Sequence, residues 1–239
     1  MSADLCIIGA GSSGIVVAKA LLQRGLAFDC FEKGSDIGGM WRYQNDNGMS
    51  SAYRSLHIDT SRKSLGYPDF PIPDHMPDFL SHEQTLQYLE DYAAHFGVRE
   101  RITLRTAVEK LEPLPADRWR VTLAGGESRE YRSVIVANGH LWDPRMAEFP
   151  GRFDGTIVHS HHYRTADPFR DQRGLVVGVG NSARLPTEGL RCQTKKSRPS
   201  TSPSICAARR KACTCRRGAA PGSCPSTSWA FRPIAGARS

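Results

Sequence analysis

The chain has 239 residues, of which 39% are apolar and 23% are charged, and its formal net charge is +8. This composition excludes a collagen-like or fully disordered chain, and the length predicts one or two domains. No apolar run approaches the ~18 residues that a membrane-spanning helix needs. The first residues also lack the basic stretch and apolar core of a signal peptide. We therefore expect a cytoplasmic protein without a membrane span.

The net positive charge comes entirely from the C-terminal part of the chain. Residues 184–239 hold 12 Lys and Arg and one acid, Glu188, whereas residues 1–183 have a net charge of −3. The same tail contains five of the seven cysteines and no valine. It has too few apolar residues to form a core, so we expect it to be disordered. A second hypothesis is that the tail is the product of a shifted reading frame. Codons can be chosen that encode the tail and that, read in the shifted frame, encode a strand-like segment followed by paired arginines.

The N-terminal residues have the pattern of a dinucleotide-binding unit. Leu5–Ile8 is typical of a short buried strand, and a glycine turn, Gly9–Gly14, follows it directly. Ile15–Arg24 has apolar residues at helical spacing, and Leu26–Phe31 predicts a second strand that ends at Glu32. The order strand, glycine turn, helix, strand and acid predicts the first half of a Rossmann-like fold.

The chemistry of this turn follows from its residue types. Glycines permit the tight turn and let backbone amides approach a pyrophosphate at the helix N-terminus. Glu32 is expected to accept a hydrogen bond from a ribose hydroxyl. The alternative is a glycine turn with a purely structural role. The residues expected at the pyrophosphate are Gly9, Gly11, Ser12, Ser13 and Gly14.

Further elements extend the α/β pattern. Ser81–Gln84 has the spacing of a capping box and begins an amphipathic helix. Trp119–Leu123 and Tyr131–Ala137 predict strands of a small β-meander. Leu175–Val177 predicts another buried strand, and a second glycine turn, Gly178–Ala183, follows it. The predicted fold class is α/β, with one Rossmann-like domain and the first strand and turn of a second, truncated Rossmann domain.

Several other patterns carry a weaker indication of function. The two glycines before Met40 and Trp41 allow close backbone approach to a ligand, and Trp41 is suited to lie against a ring. The alternative is a loop with one buried tryptophan. No acid or cysteine completes a metal site around His159, His161 and His162, so no metal is predicted.

The cysteines and the tail basic residues also exclude functions. Cys6 and Cys30 lie on separate strands instead of in a Cys-x-x-Cys-like motif, which argues against a flavin disulfide reductase. Cys213 and Cys215 lack a paired second knuckle, so no zinc site is predicted. The tail arginines lack interleaved aromatic residues, so no specific nucleic-acid partner is expected.

Residues 1–183 resemble the flavin-containing monooxygenases. The most specific match is FDGTIVHSHHY at 153–163, which fits the family pattern F-x-G-x-x-x-H-x-x-x-(Y/F) at every fixed position. This stretch lies just before the second glycine turn, as it does in the family. The other matching stretches are FEK at 31–33, IGGMWR at 37–42, GYPDFP at 66–71 and NGH at 138–140.

The resemblance implies FAD at the first glycine turn and NADPH at the second. NADPH would reduce the flavin, and O2 would then form a C4a-hydroperoxyflavin that oxygenates a small amine or sulfide. The implied domains are an FAD-binding domain over 1–150, the start of an NADPH-binding domain over 151–183, and the tail over 184–239. The resemblance assigns FAD to the first glycine turn and to Glu32, Lys33, Gly39, Met40, Trp41 and Thr60. It assigns NADPH to Gly178, Gly180, Asn181 and Ser182.

The chain departs from the family in two places. The family commonly has Asn where this chain has Asp59, and that Asn is thought to hold the flavin hydroperoxide through its amide. An ionised Asp cannot donate a hydrogen bond, so Asp59, the expected catalytic residue, is either protonated or contributes differently. Family character is also lost after Ala183. We therefore expect an inactive N-terminal fragment of such an enzyme.

Two alternatives remain at this point. The first is a Baeyer–Villiger monooxygenase, although these related enzymes usually have Trp at the position of Tyr163. The second is a non-catalytic nucleotide-binding fragment whose basic tail is an interaction segment.

Overall fold

The structure, a computed structural model, describes residues 3–178, and the predicted tail and the last residues of the second glycine turn lie outside them. None of the helices within these residues is both long and apolar enough to cross a membrane. Residues 3–178 form seven strands and three α-helices. Their bounds are β1 Leu5–Ile8, α1 Ser12–Gln23, β2 Phe28–Phe31, α2 Arg62–Leu65, α3 His82–His95, β3 Ile102–Thr103, β4 Val108–Leu114, β5 Arg118–Leu123, β6 Ser128–Tyr131 and β7 Ser133–Val136.

The described part of the chain contains two sheets. A four-stranded sheet has the order β3-β2-β1-β7, and all its strand pairs are parallel. A three-stranded antiparallel meander has the order β4-β5-β6. The predicted α/β class with a parallel sheet and a small meander is therefore confirmed.

Alternation along the first strand divides the core into two layers. Ile7 packs with helices α1 and α3, whereas Cys6 packs with Val121 and Tyr131 of the meander. Successive side chains of a strand point to opposite faces, so β1 is buried on both sides. The helices cover one face of the parallel sheet and the meander covers the other.

The predicted helix at 82–95 is confirmed together with its cap. The Ser81 hydroxyl accepts a hydrogen bond from the Gln84 amide at 3.2 Å, and the Gln84 side chain accepts one from the Ser81 amide at 3.0 Å. These two bonds pair amides that a helix start otherwise leaves without a partner. The helix then places Tyr88, Leu89 and Tyr92 in the core.

Other boundaries differ from the prediction. Helix α1 begins at Ser12 instead of Ile15, because the last residues of the glycine turn already form its first turn. Strand β2 begins at Phe28 instead of Leu26. The stretch Tyr131–Ala137, predicted as one strand, contains the end of β6 and all of β7.

The predicted strand Leu175–Val177 is wrong for the described residues. These residues have no strand conformation, and Leu175 and Val177 are 77% and 61% exposed. A strand needs a neighbour to accept and donate its backbone hydrogen bonds, and no strand within residues 3–178 pairs with this stretch.

Candidate functional site

Two glycines of the first turn are required by the fold itself. Gly9 has a φ of +98°, and a Cβ atom there would lie 2.6 Å from the backbone oxygen of Ala137. A Cβ on Gly14 would overlap the carbonyl oxygen of Gly9 and lie 2.9 Å from its carbonyl carbon. Any side chain at either position would therefore strain the contact between β1, α1 and β7.

Gly11 differs, because the protein does not fill the space beside it. A Cβ there would meet only the Cα of Gly39, at an ordinary van der Waals distance of 3.7 Å. Gly11 is also the N-cap of α1, whose first turn has no side-chain cap and no acidic residue. The first amides of a helix lack intrahelical partners and lie at the positive end of its dipole. The space beside Gly11 at the start of α1, here called the glycine corner, is therefore suited to a phosphate-bearing ligand that approaches the backbone closely.

The second pair of glycines lies directly against this corner. The Gly38 amide donates to the Ala10 carbonyl at 3.0 Å, and a Cβ on Gly39 would lie 3.0 Å from the Cα of Gly11. Gly38 and Gly39 have φ values of +109° and +56°, which favour glycine. The structure thus brings two sequence-distant glycine turns together. Met40 and Trp41 follow in the same short 3-10 turn, and the half-buried Trp41 packs against the core.

Glu32 lies at the end of β2, beneath the first turn. Its carboxylate is buried, and its two oxygens accept hydrogen bonds from the Ala10 amide at 2.7 Å and the Gly34 amide at 2.8 Å. The Asn47 side-chain amide also donates to this carboxylate, at 3.4 Å. An ionised carboxylate has about four lone-pair sites, so these three donors leave capacity for a ribose hydroxyl. Glu32 therefore fixes the backbone of both the first turn and the loop after β2.

The residues that hold the turn Gly39–Trp41 in place were not predicted from the sequence. The Asn45 amide donates to the Gly39 carbonyl at 2.9 Å, and its oxygen accepts from the Asn47 amide at 3.2 Å. The Ser50 hydroxyl donates to the Met40 carbonyl at 2.7 Å. Asn45 and Ser50 are buried. The polar run NDNG at 45–48 was the available sequence signal, since buried amides of this kind commonly serve to pair backbone groups.

The other predicted cofactor and catalytic residues lie on more exposed segments. Ser13 and Lys33 are exposed, whereas Ser12 is half-buried at the start of α1. Asp59 is exposed and Thr60 half-buried, in a bend between residue 57 and α2. Gly178 is exposed and has a φ of +132°. The remaining predicted NADPH residues, Gly180, Asn181 and Ser182, lie outside the described residues.

The histidine-rich stretch makes a local turn. His161 is buried, and its Nδ1 donates to the Leu141 carbonyl at 2.9 Å, since a carbonyl can only accept. Burial lowers the pKa of His161. The side-chain nitrogen Nδ1 of His159 accepts from the His161 amide at 3.0 Å. Among residues 3–178, no group of three His, Cys, Asp or Glu side chains is arranged to hold a metal ion.

The two N-terminal cysteines are buried, and neither forms a disulfide. They lie on separate strands, as predicted, and these strands pair with each other. Cys6 faces the meander, and Cys30 faces the helices. Burial raises the pKa of each thiol to about 12. The described structure therefore gives these cysteines packing roles, because the reactive species is the thiolate.

A cavity of about 330 Å³ lies near the histidine-rich stretch, away from the glycine turns. Its walls include Arg54, Tyr163, Asp167 and Arg170. Asp167 accepts hydrogen bonds from Thr165, Arg170 and Arg54, which lower its pKa to about 2. Because these charges already pair with one another, the cavity gives no indication of an ionic ligand.

The chain is similar in sequence to flavin-containing monooxygenases. A family model described as FMO-like, flavin-binding monooxygenase-like, matches residues 2–196, and so continues past Ala183. Flavin-containing monooxygenase 5 of Rattus norvegicus is 36% identical over 191 residues, which are 74% of this chain and 36% of the relative. A flavin-containing monooxygenase GS-OX-like 5 of Arabidopsis thaliana is 34% identical over 211 residues, which cover 76% of this chain and 47% of the relative.

The chain is also similar to solved structures of oxygenases. S-allyl-L-cysteine S-oxygenase from Allium sativum is 34% identical with a TM-score of 0.64, over 70% of this chain and 44% of that one. OTEMO in complex with FAD and NADP is 27% identical with a TM-score of 0.61, over 77% of this chain and 36% of that one. The chain thus spans between about a third and a half of the length of these proteins. On the match over residues 2–196, it belongs to the flavin-binding monooxygenase-like family.

Proposed function

We propose that this chain carries the FAD-binding corner of a monooxygenase that oxygenates soft nitrogen or sulfur nucleophiles. The observation that carries the proposal is the open space beside Gly11, between the uncapped start of α1 and the turn at Gly39. Packing requires glycine at Gly9 and Gly14 but not at Gly11, so a ligand that approaches the backbone explains the third glycine. A pyrophosphate of the FAD type fits the donors at this corner.

Each part of the corner has a distinct task in this proposal. The amides of Gly11 and Ser12 bind the pyrophosphate. Glu32 accepts a hydrogen bond from a ribose hydroxyl and also holds the turn in place by accepting one from the Ala10 amide. Asn45 and Ser50 donate hydrogen bonds to the carbonyls of Gly39 and Met40 and so hold the amides of that turn in place. When bound, FAD supplies the redox and oxygen chemistry, and the protein supplies orientation and a dry site.

The oxygenation type and the electron donor rest on similarity. A relative from Rattus norvegicus is named as an N-oxide-forming dimethylaniline monooxygenase, and the Allium sativum structure is named as an S-oxygenase. The complex of OTEMO with FAD and NADP supports NADPH as the reductant, bound at the second glycine turn. A Baeyer–Villiger reaction is the alternative, since a cyclohexanone monooxygenase is also among the similar structures. Tyr163 favours nitrogen or sulfur oxygenation.

We also propose that the 239-residue chain alone does not consume NADPH. The stretch Leu175–Val177, which leads into the second glycine turn, is exposed and has no partner strand within residues 3–178. A nucleotide turn needs a paired strand before it to hold its geometry. FAD binding depends on the first turn, whose strand β1 is paired on both sides, and is expected to persist.

Calorimetric titration of the purified chain tests the proposal. FAD and ADP should both bind and should compete, because each has a pyrophosphate. Riboflavin, which lacks one, should bind far more weakly. Equal binding of riboflavin and FAD would contradict a pyrophosphate site, and binding of none of the three would contradict the proposal as a whole.

A chimaera distinguishes the reaction types. Residues 3–178 would replace the matching part of the Allium sativum S-oxygenase, and the product would be tested with a thioether and a cyclic ketone. Sulfoxide formation with NADPH consumption is expected, whereas lactone formation would favour the Baeyer–Villiger alternative. The chain by itself should leave the NADPH concentration unchanged.

A further inference from the structure

The segment at 160–170 is attached to the segment at 50–54 by several contacts. The Arg54 amide donates to the Arg164 carbonyl at 2.9 Å, and the Arg54 guanidinium contacts Asp167 at 2.9 Å. The rings of Tyr53 and Tyr163 meet edge to face with their centroids 5.8 Å apart. The end of the histidine-rich stretch is therefore a fixed neighbour of the loop that precedes α2.

Arg164 makes the most specific of these attachments. Its Nη2 donates to the Ser50 carbonyl at 2.7 Å, and its Nη1 donates to the His161 carbonyl at 2.6 Å and the Tyr163 carbonyl at 3.1 Å. All three acceptors are backbone carbonyls. The planar fork of Arg can reach such separated acceptors, which a Lys ammonium cannot do in the same way.

Ser50 connects this contact to the turn Gly39–Trp41. Its side chain is buried, and its hydroxyl donates to the Met40 carbonyl at 2.7 Å while it accepts from the Ala52 amide at 3.2 Å. Met40 belongs to the 3-10 turn Gly39–Trp41, which lies against Gly11. The Arg164 side chain is thus connected to the turn Gly39–Trp41 through the buried Ser50. This turn lies beside Gly11, where the pyrophosphate is proposed to bind.

We infer that Arg164 is a positioning residue for the FAD site: it sets the Gly39–Trp41 turn through Ser50. This inference rests on the proposed function of the glycine corner. Replacing Arg164 would release the Ser50 backbone, shift the hydroxyl away from Met40 and loosen the turn. The site would then lose FAD affinity although no group that contacts FAD has changed.

A double-mutant cycle measures this coupling. Arg164→Met should weaken FAD binding about tenfold, and Ser50→Ala, which keeps the backbone carbonyl but removes the hydroxyl that contacts Met40, should weaken it at least as much. Because Arg164 acts through the Ser50 hydroxyl, the double variant should bind FAD about as weakly as Ser50→Ala alone. Arg164→Lys should not restore affinity. Effects of the two single variants that multiply independently would overturn the inference.

A matched control and a second measurement separate this effect from general destabilisation. Arg170→Met removes an exposed arginine that pairs with Asp167 in the same segment, and it should leave FAD affinity unchanged. In the ligand-free protein, Arg164→Met should shift the backbone amide resonances of Gly39–Trp41, and Arg170→Met should not. If the unaltered chain binds no FAD, the proposed function fails, whereas the amide shifts still test the coupling. Unchanged resonances in Arg164→Met would overturn it.

Discussion

Replacing Gly11 with alanine tests whether this glycine serves a ligand or the fold. The added methyl group would lie 3.7 Å from the nearest protein atom, so it creates no clash. Loss of the preferred N-cap residue costs about 0.5–1 kcal/mol, and the reduced entropy of the unfolded chain offsets a similar amount. We therefore expect the free energy of unfolding to stay within about 0.5 kcal/mol of the unaltered chain.

The same methyl group would project into the space where the pyrophosphate is proposed to meet the backbone. Gly11→Ala should therefore raise the Kd for FAD at least about tenfold, which corresponds to about 1.4 kcal/mol. Gly9→Ala is the contrasting control, because it combines a φ of +98° with a contact of 2.6 Å to the Ala137 oxygen. It should lower the free energy of unfolding by about 2–4 kcal/mol.

Urea unfolding and calorimetric FAD titration of both variants provide the comparison. The expected pattern is lost affinity with retained stability for Gly11→Ala, and lost stability for Gly9→Ala. If Gly11→Ala binds FAD as tightly as the unaltered chain, this glycine does not serve a ligand. If Gly11→Ala lowers the free energy of unfolding as much as Gly9→Ala does, the glycine serves the fold instead.

Four further outcomes follow from single features of the fold. Asn45→Ala removes a buried hydrogen bond to the Gly39 carbonyl and should lower both FAD affinity and the free energy of unfolding, the latter by about 1–2 kcal/mol in urea titration. Ser81→Ala removes the helix cap and should destabilise the chain by about 1 kcal/mol, with no change of FAD affinity in calorimetry. Cys6 and Cys30 should resist iodoacetamide in the folded chain and react in urea, as read by peptide mass; rapid labelling without urea would contradict their burial. Their pKa values rise from 9.0 to about 12 on folding, so the unfolded chain loses these protons first, and the free energy of unfolding should fall as pH rises above 9.0.

Local patterns predicted the elements whose partners are close in sequence. The first strand, glycine turn and helix follow from residues that contact one another within a short stretch. The helix at 82–95 was predicted because its cap is formed by Ser81 and Gln84 alone. These features depend on propensity and hydrogen bonds that sequence spacing fixes directly.

Features that depend on distant partners were missed or misplaced. Strand β6, Ser128–Tyr131, exposes three polar residues and becomes a strand because β5 pairs with it. The contact of Gly39 with Gly11 was not predictable from spacing, although both turns were recognised separately. Leu175–Val177 has the composition of a buried strand, but composition does not provide the neighbour that a strand requires.

The most direct test of the FAD corner is a titration of the isotopically labelled chain with ADP, followed by amide resonances in heteronuclear NMR spectra. ADP should shift the amide resonances of Gly11, Ser12 and Gly39, whereas riboflavin should not. The resonances of the meander at Arg118–Leu123 should remain unchanged as an internal control. Saturable shifts of amide resonances elsewhere in the chain, with those of Gly11 and Gly39 unchanged, would contradict a pyrophosphate site formed by the turns that contain these two glycines.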